Sequence, residues 1–350
     1  MNILLIRTSA MGDVVHSLPV LHALRRAHPE ARIGWVVEKA FAPLIQGHPG
    51  LDEVFPVKMR GWRKGLGKSA IRREIRTAMG SIRSFQADVA IDLMGNHKAG
   101  LLARLSGARR IVGPRKQDRR EPSSAFWVHE GVPVDAEHAV DRALAIVRGF
   151  GTTEEADFGG SHILPNAPAA ARQFLAEREK PYVLIQAGAG WGNKTWPPAF
   201  WGDVARRLAT EDNVEVWVPV APGEEHLAEA VAASSQGCAR TVDAGPWDVL
   251  TALIRGSRLL LGGDTGPLHL ADALGTPVLA VMGPTDPRRH GPYSQMDRVV
   301  VEPLPCSFCY KRLSEARACL LRIAPANVAG RAREILGQKV ATCRPAGRVQ

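Results

Sequence analysis

The sequence has few aromatic residues and no long hydrophobic run. Phe, Trp and Tyr make up 6% of its 350 residues, and no basic segment with interleaved aromatics matches an RNA-recognition signature. We therefore expect no nucleic-acid partner. No apolar run approaches the roughly 18 residues that a membrane span requires, and the first residues, MNILLIRTSAMGD, lack the basic region and the cleavage site of a signal peptide. These absences predict a cytoplasmic protein.

Cysteine is also scarce. Five cysteines, an odd number, fit a reducing compartment rather than a disulfide framework. Cys306, Cys309 and Cys319 have the spacing C-x2-C-x9-C, which resembles part of a metal site. Because no fourth ligand follows at a matching spacing, the sequence favours ordinary reduced thiols and no bound metal.

Positive charge is in excess. Lys and Arg total 45 against 35 acidic residues, which gives a formal charge of +10 and suits an anionic partner such as a membrane face or a phosphorylated substrate. A basic cluster in the N-terminal half consists of Arg60, Arg63, Lys64, Lys98, Arg115, Arg119 and Arg120. The cluster is either a solvated positive face or a docking surface for carboxylate and phosphate groups at a membrane.

Short apolar runs alternate with helical patterns along the chain. The runs that predict buried strands are NILLIR, RIGWVVE, ADVAIDLMG, PYVLIQAGAG, EVWVPVAP, RLLLGGD and PVLAVMG. Such alternation predicts parallel sheets with crossover helices, and the chain is longer than one core usually covers. We therefore predict an α/β protein of two Rossmann-like domains, residues 1–160 and 161–350, which face each other across a cleft at the carboxyl ends of their strands.

Two common nucleotide-binding motifs are absent. The stretch GWRKGLGKS (61–69) lacks the glycine spacing of a triphosphate-binding loop and predicts only a basic loop. Neither the first strand nor AGAGWGN (187–193) leads into the dinucleotide fingerprint G-x-G-x-x-G. A nicotinamide- or flavin-dependent dehydrogenase is therefore disfavoured.

The first strand runs into TSAMGDVVHSLP (8–19). Gly12 permits a tight turn, and Asp13 then falls in the opening turn of a helix. This carboxylate is either a helix-start acid favoured by the helix dipole or a general base that faces the cleft from the end of a strand. Position alone leaves both interpretations open.

Two turns of the C-terminal half offer further polar groups. Lys194 follows several glycines, which permit close approach of an anion, although a lone lysine in a loop is usually solvated. Glu224 and Glu225 follow the strand EVWVPV and open a helix. They are either acids favoured by the helix dipole or acceptors for two hydroxyls of a ribose.

The most informative stretch is GGDTGPLHLADALGTPVLAVMG (262–283). A strand ends in glycines, and the next helix start offers a diphosphate the N–H groups near Gly266, the Thr265 hydroxyl and the His269 ring. Asp264 stands beside these donors. An acid in an anion site is explained by a ligand with hydroxyls next to its phosphates, so the stretch predicts a site for a nucleotide-diphospho-sugar.

Taken together, RTSAMGDVVHSLP, KTWPPAFW and DTGPLHLADALGTPVLAVMGPTDP resemble the heptosyltransferases of lipopolysaccharide core assembly, glycosyltransferase family 9. The resemblance extends to about residue 330, and MRGWRKG and RREPSS are nearer to heptosyltransferase I than to heptosyltransferase II. It implies a GT-B fold and an inverting transfer that needs neither metal nor cofactor. The lack of any Asp-x-Asp pair, which would hold a cation beside a sugar diphosphate, agrees with this expectation.

The same resemblance implies substrates and roles for individual residues. The donor would be ADP-L-glycero-β-D-manno-heptose and the acceptor the Kdo residue of Kdo-lipid A, on the anionic cytoplasmic face of the inner membrane. Asp13 would be the catalytic base, Glu224 would bind the ribose and Asp264 the heptose. Donor phosphate contacts would fall on Lys194, Thr265, Gly266 and His269, and acceptor contacts on Arg60, Arg63, Lys64, Lys98 and Arg120.

Other functions remain open at this point. Heptosyltransferase II, a transferase for another nucleotide sugar or a nucleotide-sugar 2-epimerase would use the same fold, but an epimerase needs no basic acceptor surface. A membrane adaptor without catalysis fits less well with the intact set of Asp13, Lys194 and Asp264. A glycosyltransferase is therefore the prediction.

Overall fold

The computed structural model describes residues 1–65, 67–153, 155–177 and 180–338. Its N-terminal half contains a sheet of six parallel strands. These are β1 (Asn2–Ile6), β2 (Arg32–Glu38), β3 (Glu53–Val57), β4 (Val89–Asp92), β5 (Arg110–Pro114) and β6 (Glu130–Val132). Their order across the sheet is β3-β2-β1-β4-β5-β6.

A second parallel sheet of six strands occupies the C-terminal half. Its strands are β7 (Tyr182–Gln186), β8 (Glu215–Val220), β9 (Ala239–Asp243), β10 (Leu259–Gly262), β11 (Val278–Met282) and β12 (Val299–Val301). The order β9-β8-β7-β10-β11-β12 repeats that of the first sheet, and both have the doubly wound order 3-2-1-4-5-6. The predicted α/β class with two Rossmann-like sheets is confirmed. The domain limits 1–160 and 161–350 stay a prediction, and residues 339–350 lie outside the described residues.

Helices cover both faces of each sheet. The first half contains α1 (Met11–Val15), α2 (Leu18–Ala27), α3 (Ala42–Ile45), α4 (Met59–Gly65), α5 (Ser69–Ser84), α6 (His97–Leu105) and α7 (Ala139–Val147). The second half contains α8 (Ala169–Ala176), α9 (Pro198–Glu211), α10 (Glu225–Ser234), α11 (Trp247–Gly256), α12 (Gly266–Ala273), α13 (Pro287–His290), α14 (Ala318–Leu321) and α15 (Pro325–Gly337). In β1, Ile3 and Leu5 pack in one core while Leu4 and Ile6 pack in another. Both faces of β1 are therefore buried, and a strand of this kind needs apolar residues along its whole length.

Two helical segments differ from the sequence prediction. The stretch VVHSLPVLHALRRAH forms two helices, α1 and α2, because Pro19 in the first turn of α2 has no N–H to continue the helix from α1. The stretch GWRKGLGKS is not simply a loop, since α4 includes its first residues and buries Trp62. No helix in the described ranges is long and apolar enough to cross a membrane.

The strand order determines where the polar loops converge. In each doubly wound sheet the order reverses beside the first strand, here between β1 and β4 and between β7 and β10, and ligands bind at this point. Asp13 follows β1, Lys194 follows β7 and Asp264 follows β10. The topology therefore brings the predicted base and the predicted donor groups to the two crevices.

The two halves pack directly against each other. The Tyr293 hydroxyl donates to Asp141 Oδ1 at 2.6 Å, and the Trp247 indole N–H donates to the Ala40 carbonyl at 2.6 Å. One continuous apolar core also contains residues of both sheets. Loops from the two crevices therefore meet in one cleft.

Candidate active site

The first turns of α1 and α12 touch where the two halves of the chain meet. A Cβ added at Gly12 would lie 2.6 Å from His269 Cδ2, and one added at Gly266 would lie 2.5 Å from Met11 Sδ. A larger residue at either position would force its neighbour to move, so glycine permits the close approach. Asp13, the residue after Gly12, is thereby placed beside the start of α12.

Asp13 is oriented by its own helix and by Arg7, which follows β1. Asp13 Oδ2 accepts the Ala10 N–H at 2.8 Å, and Asp13 Oδ1 accepts from Arg7 Nη2 at 2.9 Å. Arg7 is nearly buried and also donates to the Leu93 carbonyl after β4. The Asp13 side chain remains 37% exposed. A carboxylate that accepts two hydrogen bonds and is exposed on one side can take the proton of a bound hydroxyl group.

Asp264 forms the centre of a nearly buried triad. Lys194 Nζ lies 2.8 Å from Asp264 Oδ2, and His269 Nε2 lies 3.1 Å from Asp264 Oδ1. Burial acts to raise the pKa of Asp264, but the hydrogen bond with His269 and the Lys194 ammonium together hold that pKa well below its ordinary value. Asp264 is therefore charged, and it fixes the directions of the lysine and the histidine.

Two polar atoms beside this triad are buried and have no hydrogen-bond partner among the residues that the structure describes. They are Thr265 Oγ1 and His269 Nδ1. Thr265 is the N-cap of α12, yet its hydroxyl makes no capping hydrogen bond. Because buried polar atoms are usually paired, the free Thr265 hydroxyl and the N–H groups at the start of α12 suit an anionic ligand.

A distant segment of the chain holds the loop that carries Lys194. The buried Asn193 side chain donates to the Lys311 carbonyl at 2.8 Å. Two cations contact the Trp191 ring, with Lys194 Nζ 4.8 Å and the Arg312 guanidinium 4.7 Å from its centroid. Sequence reasoning missed this support, because Lys311 and Asn193 are 118 positions apart.

Glu224 lies beside the same loop. It directly precedes α10, and its carboxylate lies over Gly188, where any side chain would collide with it. Burial raises the pKa of Glu224. A half-buried carboxylate on this side of the loop suits the hydroxyl groups of a ligand.

Sequence reasoning also missed two residues that follow β11. Among the described residues, Thr285 Oγ1 is buried without a hydrogen-bond partner, and the charges of Asp264 and Asp13 both act to raise the pKa of the His290 ring. Burial lowers the pKa of His290 to about 4, so its ring is neutral at pH 7. The sequence did contain a signal for these two residues. The stretch GPTDPRRH places polar side chains directly after β11, at the same end of the parallel strands as Asp264.

The predicted basic cluster is not a single surface. Its exposed members are Arg60, Arg63 and Lys64 on α4, Lys98 on α6, and Arg120. Arg119 is fully buried and pairs with the equally buried Asp92, and Arg115 pairs with Asp118 at 2.7 Å. The interpretation of Arg119 as a solvated or docking residue is therefore wrong, because its guanidinium forms a buried ion pair with Asp92.

Replacing Arg119 by methionine should destabilise the protein strongly. The change leaves the buried Asp92 without its cation, and breaking a buried ion pair in this way costs about 3–5 kcal/mol. The free energy of unfolding from urea denaturation measures the effect. Arg109→Met is the control, since Arg109 is 86% exposed and 4.0 Å from Asp88, and it should cost less than about 1 kcal/mol. Similar small losses in both variants would contradict a structural role for Arg119.

The three cysteines of the C-x2-C-x9-C pattern lie near one another as free thiols. Cys306 and Cys309 are exposed, and Cys319 is buried. Burial raises the pKa of Cys319, and its two neighbouring thiols add to the rise. In the part of the chain that the structure describes, no group of His, Cys, Asp and Glu side chains is arranged to hold a metal ion. A metal-free protein stays a prediction.

Comparison with known proteins agrees with this geometry. The model of glycosyltransferase family 9 (heptosyltransferase) matches residues 75–319. Lipopolysaccharide heptosyltransferase 1 of Pseudomonas aeruginosa is 31% identical over 319 residues, which cover 89% of this chain and 87% of that protein. The predicted family resemblance is therefore confirmed.

Solved structures give the same result. The E. coli heptosyltransferase WaaC with ADP superimposes with a TM-score of 0.80 at 27% identity, over 96% of this chain and 100% of that one. WaaC with ADP-2-deoxy-2-fluoro heptose gives a TM-score of 0.77 at 26% identity, over 95% and 99% of the two chains. The family match and these likenesses over nearly the whole chain lead to one conclusion. The chain belongs to glycosyltransferase family 9 and is a glycosyltransferase.

Proposed function

We propose that this enzyme transfers L-glycero-D-manno-heptose from ADP-heptose to the Kdo residue of Kdo-lipid A in lipopolysaccharide inner-core synthesis. The transfer inverts the anomeric carbon and needs no metal ion. The observation that carries the proposal is the position of Asp13 beside the start of α12, where Thr265 Oγ1 is buried without a hydrogen-bond partner in the described part of the chain. The ligands of WaaC, ADP and an ADP-fluoroheptose, support the donor.

In this proposal the ADP diphosphate lies at the start of α12. The N–H groups there, including that of Gly266, and the Thr265 hydroxyl hydrogen-bond its oxygens. Lys194 neutralises the charge that grows as ADP leaves, and a preoriented cation is effective because it need not rearrange. Asp264 keeps Lys194 in place and accepts from a heptose hydroxyl, while Glu224 accepts from the ribose.

The acceptor hydroxyl attacks C1 of the heptose from the face opposite the diphosphate. The new C–O bond forms as the bond from C1 to the β-phosphate oxygen breaks, and Asp13 takes the hydroxyl proton. Arg7 and the Ala10 N–H hold the carboxylate in one orientation, which removes the need to orient it during the reaction. The Asp13 anion also stabilises the positive charge that develops on the sugar ring.

The N-terminal half binds the acceptor in this proposal. The exposed cations Arg60, Arg63, Lys64, Lys98 and Arg120 suit the phosphates and carboxylates of Kdo-lipid A. The enzyme would then work on the anionic cytoplasmic face of the inner membrane. The 2-epimerase alternative is set aside because the chain belongs to a family of transferases.

Turnover of the two substrates tests the proposal directly. Purified protein with ADP-heptose and Kdo-lipid A should release ADP and yield a product heavier by one heptose residue. NMR of the new linkage should show the anomeric configuration opposite to that of the donor. Release of ADP without a change in the acceptor, or retention of configuration, would contradict the proposal.

ADP should bind at full strength in the presence of EDTA. Lys194 and the start of α12 supply the positive charge that a divalent cation supplies in other sugar-diphosphate sites. Calorimetric titration with and without EDTA measures this, and UDP and GDP serve as controls that should bind more weakly. Binding that disappears with EDTA and returns with Mg²⁺ would refute metal independence.

Charge reversal at Arg63 and Lys64 should raise the KM for the acceptor about tenfold or more and leave ADP affinity unchanged. Both side chains are exposed on α4, and each charge-assisted contact to a phosphate contributes roughly 1.5–3 kcal/mol. The same reversal at Lys180 and Arg322, which are exposed in the C-terminal half, is the control. Equal losses of acceptor use and ADP binding would contradict the proposal that the N-terminal half binds the acceptor and the C-terminal half binds ADP.

A further inference from the structure

An exposed apolar patch lies beside α6. Phe126 is 69% exposed and Leu101 is 38% exposed. The Phe126 ring centroid lies 4.4 Å from that of Trp127 and 5.8 Å from that of His97. Leu101 follows His97 by one helical turn on α6, so these side chains share one face. Leu101, Phe126 and Trp127 are called the wedge below.

The wedge has one side-chain polar group, the Trp127 indole N–H, and a hydrogen bond inside the protein satisfies it. The Trp127 indole N–H donates to His97 Nδ1 at 3.1 Å, and His97 Nε2 pairs with the Ser123 hydroxyl at 2.9 Å. The Trp127 side chain packs against Gly100, where an added Cβ would be 2.5 Å from its Cβ and Cδ1 atoms. The wedge can therefore enter an apolar phase without burying an unpaired donor, which would oppose insertion.

Exposed cations border the wedge. Lys98 and Arg104 stand three residues before and three residues after Leu101 on α6, and Arg120 precedes Glu121, whose carboxylate already accepts a backbone N–H at the start of α6. None of these three cations has an ion-pair partner among the residues that the structure describes. Exposed apolar side chains bordered by unpaired cations have the composition that binds an anionic bilayer.

The wedge also lies at the active-site end of the first sheet. α6 begins just after β4, the strand beside β1, and Asp13 follows β1. The Leu93 carbonyl between β4 and α6 accepts from Arg7, the same residue that holds Asp13. A bilayer that receives the wedge would present its headgroups to the cleft.

We propose that the wedge inserts into the acyl region of an anionic bilayer, while Lys98, Arg104 and Arg120 contact lipid phosphates. This inference deepens the proposed function and rests on it for the identity of the acceptor as a lipid, but the surface itself would bind anionic lipids that carry no Kdo. A second copy of the chain is a less suitable occupant, because a two-fold contact would bring the same cations together.

Vesicle flotation with Phe126→Ser tests the inference. The vesicles contain phosphatidylglycerol and phosphatidylethanolamine and no acceptor sugar. We expect Phe126→Ser to bind them about tenfold or more weakly than the wild type, since one inserted aromatic side chain is lost. The control Leu321→Ser, at a side chain that is 48% exposed in the C-terminal half, should bind like the wild type. Calorimetry with ADP should show unchanged affinity in both variants.

Salt and fluorescence separate insertion from charge attraction. At high salt, which screens the cations, the wild type should keep part of its binding and Phe126→Ser should lose all of it. Phe126→Trp should bind normally, and its added fluorescence should be quenched by lipids brominated in their acyl chains. Unchanged binding by Phe126→Ser, or no quenching of the new tryptophan, would overturn the inference.

Two further outcomes separate the alternatives. A dimer in sedimentation that Phe126→Ser turns into a monomer, without any effect on vesicles, would identify a second copy as the occupant and overturn the lipid proposal. Wedge-dependent vesicle binding in a protein that transfers no heptose would support the inference and refute the proposed function instead.

Discussion

Asp13→Asn should lower turnover about a hundredfold or more, which is the usual scale for a lost general base. Asparagine keeps the size of the side chain and an oxygen that can still accept the Ala10 N–H, but its amide does not take a proton from the acceptor hydroxyl. His16 does not replace it, because that ring is buried against His269 and burial lowers its pKa well below the ordinary value. ADP affinity and melting temperature should change little.

Initial rates at saturating donor and acceptor measure the loss, with ADP calorimetry and thermal melting on the same samples. Asp52→Asn is a matched control, because Asp52 also pairs with an arginine, Arg25 at 2.7 Å. Asp52 precedes β3, whereas Asp13 follows β1. Because these strands are parallel, the two carboxylates lie at opposite ends of the strands. The control should turn over like the wild type. A near-normal rate in Asp13→Asn would exclude this carboxylate as the base.

Lys194→Met should weaken ADP binding about ten- to hundredfold, since one charge-assisted hydrogen bond contributes roughly 1.5–3 kcal/mol. Turnover should fall further than affinity, because the charge on the departing diphosphate is larger in the transition state than in the bound donor. The variant also leaves the nearly buried Asp264 carboxylate with His269 as its remaining partner. That uncompensated negative charge would repel the diphosphate.

Titration calorimetry and steady-state rates measure these two effects. Lys180→Met, at an exposed lysine of the same half, should leave both unchanged. Lys194→Arg keeps the positive charge and should recover part of the affinity, although the planar guanidinium does not reproduce the geometry of an ammonium group. Unaltered ADP binding in Lys194→Met would mean that the diphosphate does not lie beside Lys194.

Most interior strands were predictable because both of their faces are buried, although β5, which lies between β4 and β6, was not predicted. β1, β7, β10 and β11 are short apolar runs, and no polar alternation is needed where helices cover both sides. Strands at the sheet edges carry a weaker signal. β3 contains the exposed Pro56, which an edge strand tolerates, and β9 is largely exposed. Neither was predicted.

Local motifs also determined much of the candidate site. Asp13 does lie in the first turn of α1, Thr265 does stand at the N-cap position of α12 and Glu224 does precede α10. Each position depends on a few neighbouring residues, namely a glycine turn after a strand and a helix start. The sequence alone therefore determined the parallel α/β class and which polar side chains stand at the ends of which strands.

Only the tertiary structure decided which charges are paired. Arg119 and Arg120 are neighbours in the sequence, yet Arg119 is buried against Asp92 and Arg120 is exposed. The electrostatic interaction between His290 and Asp264 likewise joins segments that follow different strands of the sheet. Such contacts arise when distant parts of the chain meet, and the free energy of a charge depends on burial and partner rather than on residue type. A single sequence does not give the burial or the partner of an individual charge.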